Sequence, residues 1–219
     1  MMTLQRAARI AAWLIVGCML VHNMNALWLE PTYLGFVDKT KDYGDMAKIL
    51  NAQFSFSFIS SGTAHIVCGF AVLVLGLALH NRFRSRLPVA SQLLMMAALL
   101  AGLGFLLTGI NDIPGAVYGR ILREQNPELT NVILVASTMI RGTVNVLAVA
   151  GLSWLAGQLA WINGRTREFP RWFTGYGWLM VLPGIVSFPF PPAGFMYLLL
   201  TIPWAAALGV CLGRPAQPS

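Results

Sequence analysis

Four ionisable residues lie within or at the edge of long apolar stretches of this sequence: His22, His65, Asp112 and Arg141. Ionisable groups are costly in hydrocarbon, so each of them is a candidate for a functional site. Counting a helical rise of about 1.5 Å per residue from the ends of the apolar stretches places all four at a similar depth, near one face of a membrane. Asn145 flanks them, and we include it among the candidate ligand-binding residues.

These side chains are compatible with three kinds of chemistry. In the first, Arg141 pairs with Asp112 as a structural clamp, while hydroxyl groups within residues 60–63 satisfy His65. In the second, they line a pocket for a small ligand, in which Arg141 favours an anionic or polar head group. In the third, His22 and His65 hold a b-type haem, which needs two imidazoles at similar depth on neighbouring helices. The sequence alone leaves these alternatives open.

Other catalytic and metal-binding patterns do not occur in the sequence. It has no HExxH, GxSxG or CxxC motif and no Gly-rich phosphate loop. Cys18, Cys68 and Cys211 each stand alone in an apolar run, which predicts small buried side chains and no metal site. No lysine lies in a long apolar stretch, so a retinal Schiff base is excluded. We therefore expect no cofactor, with haem b as the alternative.

The composition indicates which elements position these residues. The chain is 57% hydrophobic and only 11% charged, whereas soluble domains carry about 25% charged residues. Continuous apolar runs of about 20 residues predict an all-α bundle of six transmembrane helices rather than a barrel. The predicted spans cover residues 10–29, 57–79, 88–110, 142–162, 172–190 and 193–213. A cleaved signal peptide is disfavoured, because Met24 stands where a cleavage site needs a small residue.

The basic residues predict the orientation of this bundle. One set of helix ends carries nine basic residues and the single acid Glu168, and the other set carries five basic and seven acidic residues. The first set is therefore expected in the cytoplasm, with both termini, and the second outside a bacterial inner membrane. The net charge of +7 is explained by this asymmetry, so the bilayer and not nucleic acid is the expected partner.

Several residues predict local features of the helices. Asn126 can cap a helix that begins at Pro127, ahead of the fourth span. Pro183 and Pro203 should kink the fifth and sixth helices, because each removes a backbone donor. Small residues four apart, such as Ala98 with Gly102, suit close helix packing.

Four stretches of the sequence show a resemblance to a known family. They are DMAKILNAQFSFSFISSG before and within the second span, the basic LALHNRFRSR at its end, and REFPRWFTGYGWLMVLPG with FPFPPAGFMYLLLTIPWAAALGVCLG near the C-terminus. In this layout the chain resembles the bacterial six-helix membrane protein family catalogued as domain of unknown function 4386. The resemblance implies the six-helix fold, with an amphipathic segment leading into helix two, and it implies no activity or site residues.

Taken together, these features favour a non-enzymatic integral membrane protein. We expect a small-ligand-binding or accessory subunit that docks against a larger membrane protein complex. The alternative is a membrane redox enzyme, using haem or quinone, or a lipid-modifying enzyme that uses the outer-half polar cluster.

Overall fold

The computed structural model describes residues 3–35, 56–190 and 192–213, and this part of the chain is helical without a strand. The elements are α1 (Leu4–Met24), a π-helical segment (Asn25–Leu29), α2 (Glu30–Leu34), α3 (Phe56–Phe83), α4 (Pro88–Gln125), α5 (Pro127–Thr166), α6 (Arg171–Val186) and α7 (Pro192–Leu212). The predicted all-α class is confirmed. The amphipathic segment that the resemblance implies before the second span lies outside the described residues.

Four helical stretches in the described part are long and apolar enough to cross a membrane. They are Leu4–Thr32, Phe56–Phe83, Pro88–Gln125 and Pro127–Thr166. The apolar stretch Met196–Leu212 is shorter, and α6 has only 16 residues. At about 1.5 Å per residue, α6 is roughly 24 Å long, somewhat less than the hydrocarbon thickness of about 30 Å.

Helix α6 ends before residue 190, where the fifth predicted span ends. It stops at Val186, and residues 187–189 form a turn. Pro189 explains this end, because a proline disfavours helical backbone at the residue before it. Pro183 and Pro203 each lie inside their helix, so the helix continues past both, and the kinks stay predictions.

Neighbouring helices pack in a ring around one core. Helix α1 packs against α3, α3 against α4, α4 against α5, α5 against α6, α6 against α7, and α7 returns to α1. The Gln5 side chain donates a hydrogen bond to the Leu212 carbonyl, 3.1 Å away. The start of α1 and the end of α7 therefore lie at the same end of the bundle.

Glycine and alanine let these helices approach closely, as the small-residue spacing predicts. A Cβ at Gly102 would lie 2.7 Å from the Leu73 side chain, and Ala98 is buried against Gly76. Helices α4 and α5 also approach closely at Gly104, where a Cβ would meet the Ala148 backbone nitrogen at 2.5 Å. A side chain at Gly104 would push the helices apart, because the nearest atoms that face it belong to the backbone.

Helices α4 and α5 are longer than the spans predicted for them. They contain 38 and 40 residues, or roughly 57 and 60 Å, which is about twice the hydrocarbon thickness. Asn126 separates them, and its side-chain oxygen accepts a hydrogen bond from the Leu129 backbone at 3.1 Å. The predicted cap at Asn126 and the helix start at Pro127 are confirmed. The predicted boundaries were too short because hydropathy ends with the apolar run, whereas helical hydrogen bonding continues beyond it.

Candidate polar site in the helix bundle

The four ionisable residues selected from the sequence form one connected row across four helices. His22 lies on α1, His65 on α3, Asp112 on α4 and Arg141 on α5. The ring centroids of His22 and His65 are 4.9 Å apart. His65 Nδ1 lies 3.7 Å from Asp112 Oδ2, and Arg141 Nε lies 2.8 Å from Asp112 Oδ1. The expectation that these residues share one layer of the bundle is met.

Arg141 and Asp112 form the charged end of this row. The Asp112 side chain is fully buried, and that of Arg141 is 19% exposed. The Arg141 guanidinium carbon also lies 4.4 Å from the centroid of the Phe58 ring. Guanidinium groups stack readily on aromatic faces and are more weakly hydrated than ammonium groups. The pair therefore neutralises a carboxylate in the bundle interior and holds the arginine turned inward, as the clamp interpretation expects.

His65 occupies the centre of the row and is only 2% exposed. In addition to its contacts with His22 and Asp112, the His65 ring stacks on the Phe105 ring, with the two ring centroids 6.0 Å apart. Neither of its ring nitrogens has a hydrogen-bond partner among the described residues. Buried polar atoms are nearly always paired, so this imidazole keeps hydrogen-bonding capacity that the described part of the protein does not use.

The hydroxyl groups expected to satisfy His65 bond elsewhere. Asn25 donates from Nδ2 to Ser60 Oγ at 2.8 Å and to Ser61 Oγ at 2.9 Å. Thr63 donates to the Ile59 carbonyl at 2.8 Å. The prediction that these hydroxyl groups satisfy His65 was therefore wrong. Asn25, in the π-helical segment that follows α1, hydrogen-bonds to both serines instead.

Asn25 opens the π-helical segment, where the backbone is wider than in an α-helix. Single π-helical turns often mark functional sites. Asn25 is 3% exposed and connects the end of α1 to the start of α3, three residues from His22. Asn25 was not among the candidate site residues selected from the sequence, and its spacing of three residues from His22 is the signal that could have assigned it to the site.

A second link joins α4 and α5 beside the ion pair. Ser137 Oγ donates to Asn111 Oδ1 at 3.1 Å. Ser137 and Asn145 lie one turn before and after Arg141, on the same face of α5. The Oδ1 atom of Asn145 is buried and accepts no hydrogen bond from the described residues. Asn145 thus borders the site, and its Oδ1 accepts no hydrogen bond from the histidines or from Arg141.

The geometry does not suit the haem alternative. With centroids 4.9 Å apart and ring planes 45° apart, His22 and His65 contact each other directly. A b-type haem needs its iron and flat macrocycle between two axial imidazoles. Among the described residues, no three His, Cys, Asp or Glu side chains are grouped so that they could hold a metal ion.

The arrangement can do two things chemically. It can hold α4 and α5 together through a buried charge pair, and it can present an unsatisfied imidazole next to that pair. The resemblance noted from the sequence stays a prediction. Comparisons of the chain with family models, with curated proteins and with solved structures find no match.

Proposed function

We propose that this chain is a six-span protein of a bacterial inner membrane, with both termini in the cytoplasm, that binds a small polar ligand in its outer half. The ligand would carry an anionic or hydrogen-bonding group, and no chemical step is assigned to the site. Four described helices have the length and hydropathy for a membrane. The Gln5–Leu212 hydrogen bond supports an even number of crossings, because it brings the start of α1 and the end of α7 to one side.

The observation that carries the ligand proposal is the His65 imidazole. It is buried, has no hydrogen-bond partner among the described residues, and lies beside the Asp112–Arg141 pair. Leaving a buried polar group unsatisfied costs about 1–3 kcal/mol. A ligand that hydrogen-bonds His65 would remove this cost, and the neighbouring charges would orient a polar head group.

The ligand proposal predicts co-purification. Protein purified from membranes in mild detergent should retain a small polar molecule, detected by mass spectrometry of the denatured sample. Replacing His65 with phenylalanine should abolish retention, because a planar aromatic ring remains while both nitrogens are lost. His80→Phe is the matched control, since His80 lies on the same helix 15 residues away, near its other end.

Three results would contradict this proposal. One is wild-type protein that retains no small molecule, and another is equal retention by the wild type and His65→Phe. A Soret band in the visible spectrum would favour the redox alternative instead. Thermal unfolding of each variant shows whether the loss of ligand is separate from loss of the fold.

An accessory role would use a different surface from the ligand site. Beyond Asp112 and Arg141, the hairpin of α4 and α5 exposes large apolar side chains, including Tyr118, Val132 and Met139 at 64–69% exposure. Exposed apolar surface of this kind often marks a contact with another protein or with the membrane. Protein analysis of the same preparation tests this role: a second membrane protein at constant stoichiometry would support it.

The topology predicts the activity of fused reporters. A reporter placed after Ser219 should be active in the cytoplasm, and one inserted near Gly44 should be active outside, because basic residues concentrate at cytoplasmic ends. Alkaline phosphatase and green fluorescent protein fusions at both positions measure this. External activity at the C-terminus would mean an odd number of spans.

A further inference from the structure

A groove on the outside of the ring lies well away from the polar site. Helices α4, α5 and α6 form it, and its volume is about 450 Å³. Its lining includes Val89, Leu93, Gly157, Trp161, Trp178 and Val181. Three of these side chains are 39–69% exposed, namely Trp161, Trp178 and Val89. The groove therefore faces the surroundings of the bundle rather than its core.

The groove lies near the basic end of the bundle. Val89 is the second residue of α4, and Trp161 lies five residues before the end of α5. Arg165 follows Trp161 by one helical turn, and its guanidinium carbon is 5.1 Å from the centroid of the Trp161 indole. The wall of the groove thus carries a positive charge at its basic end.

The acidic residue near this end of the bundle, Glu168, already forms ion pairs with two arginines. Glu168 accepts from Arg82 Nε at 2.6 Å and from Arg86 Nη1 at 3.0 Å. Arg84, Arg165, Arg167 and Arg171 are all exposed at this same end of the bundle. An excess of positive charge therefore remains next to an apolar groove, and the occupant should combine a hydrocarbon part with an anionic group.

We propose that this groove binds an anionic phospholipid, with an acyl chain between α4, α5 and α6 and the phosphate at Arg165. The volume lies within the range of small-ligand pockets, which suits a thin flexible chain better than a protein helix of about 10 Å diameter. Arginine favours phosphate, and basic pockets between transmembrane helices bind anionic head groups. This inference rests on the proposed membrane setting, but not on the ligand at His65.

Native mass spectrometry with added lipid tests the proposal on the purified full chain. Delipidated protein is titrated with phosphatidylglycerol and, separately, with phosphatidylcholine of the same acyl chains. Phosphatidylglycerol should bind more tightly. Arg165→Gln should weaken its binding about fivefold and leave phosphatidylcholine binding unchanged. Arg84→Gln, an equal loss of charge at the same end, should change phosphatidylglycerol binding less than twofold.

A second pair of variants tests the apolar part of the site. Trp161→Ala should weaken the binding of both lipids, because it removes a wall of the groove. Trp172→Ala removes an equally large side chain that is 59% exposed at the same end but does not line the groove, so it should change neither affinity.

Several outcomes would overturn the lipid proposal. They are equal affinity for the two lipids, an effect of Arg84→Gln as large as that of Arg165→Gln, and a protein that forms a dimer and binds neither lipid. Each of these leaves retention of a small molecule at His65 unaffected. Failure of this inference is therefore distinguishable from failure of the proposed function.

Discussion

Replacing Arg141 with methionine is expected to lower the free energy of unfolding by about 3 kcal/mol. The substitution leaves the fully buried Asp112 carboxylate without the guanidinium that lies 2.8 Å from it. Removing one partner of a buried ion pair typically costs about 3–5 kcal/mol, since the remaining charge is neither solvated nor neutralised. We expect the lower end of this range because the Arg141 side chain is 19% exposed.

Replacing Asp112 instead of Arg141 should lower the free energy of unfolding by a smaller amount. In Asp112→Leu, the remaining Arg141 can extend its partly exposed guanidinium towards the polar interface. The double variant Asp112→Leu/Arg141→Met should recover most of the stability, because matched apolar side chains often replace a buried ion pair without loss. Arg84→Met serves as the control for removing an arginine, because Arg84 is exposed at the other end of the bundle.

Reversible unfolding in mixed micelles, followed by circular dichroism, measures all four variants. The clamp interpretation predicts strong non-additivity between the two single substitutions. If the two effects simply add, or if Arg141→Met is as stable as the wild type, the ion pair does not hold the helices together.

The second large effect is expected at Gly104, where the backbones of α4 and α5 are in close contact. A Cβ at Gly104 would lie 2.5 Å from the backbone nitrogen of Ala148 and 2.7 Å from its Cα. Backbone atoms cannot rotate away as a flexible side chain can, so Gly104→Ala must separate the helices. Overpacking of this kind costs about 1–3 kcal/mol. Ala148 lies two turns after Arg141, so the displacement should also loosen the Arg141–Asp112 pair.

Gly142 offers a matched control on α5, because nothing lies within 4 Å of a Cβ built there. Gly142→Ala should raise the free energy of unfolding by about 0.5 kcal/mol, since alanine is the better helix former and no contact opposes it. We therefore expect the two glycine-to-alanine substitutions to change the free energy of unfolding in opposite directions, measured in the same way. Equal signs would show that the α4–α5 contact is looser than described.

The polar site shows which features can be predicted by counting residues along each helix. Hydropathy and a constant helical rise were enough to place His22, His65, Asp112 and Arg141 in one layer, because depth along a helix depends only on local sequence. The Asn126 cap and the start of α5 at Pro127 were also predicted, since capping involves residues within one turn of each other. These features follow from short-range interactions.

Contacts around the helix axes depended on the tertiary structure. The pairing of Asn25 with Ser60 and Ser61, the Phe58 ring against Arg141, and the groove beside Trp161 all depend on how each helix is rotated against its neighbours. That rotation is set by the fit of small and large side chains from distant parts of the chain, such as Gly104 against Ala148. The amino-acid sequence thus determined by itself the all-α class and the positions of the site residues along their helices. The tertiary structure decided which of them meet, because helix packing is a property of several segments at once.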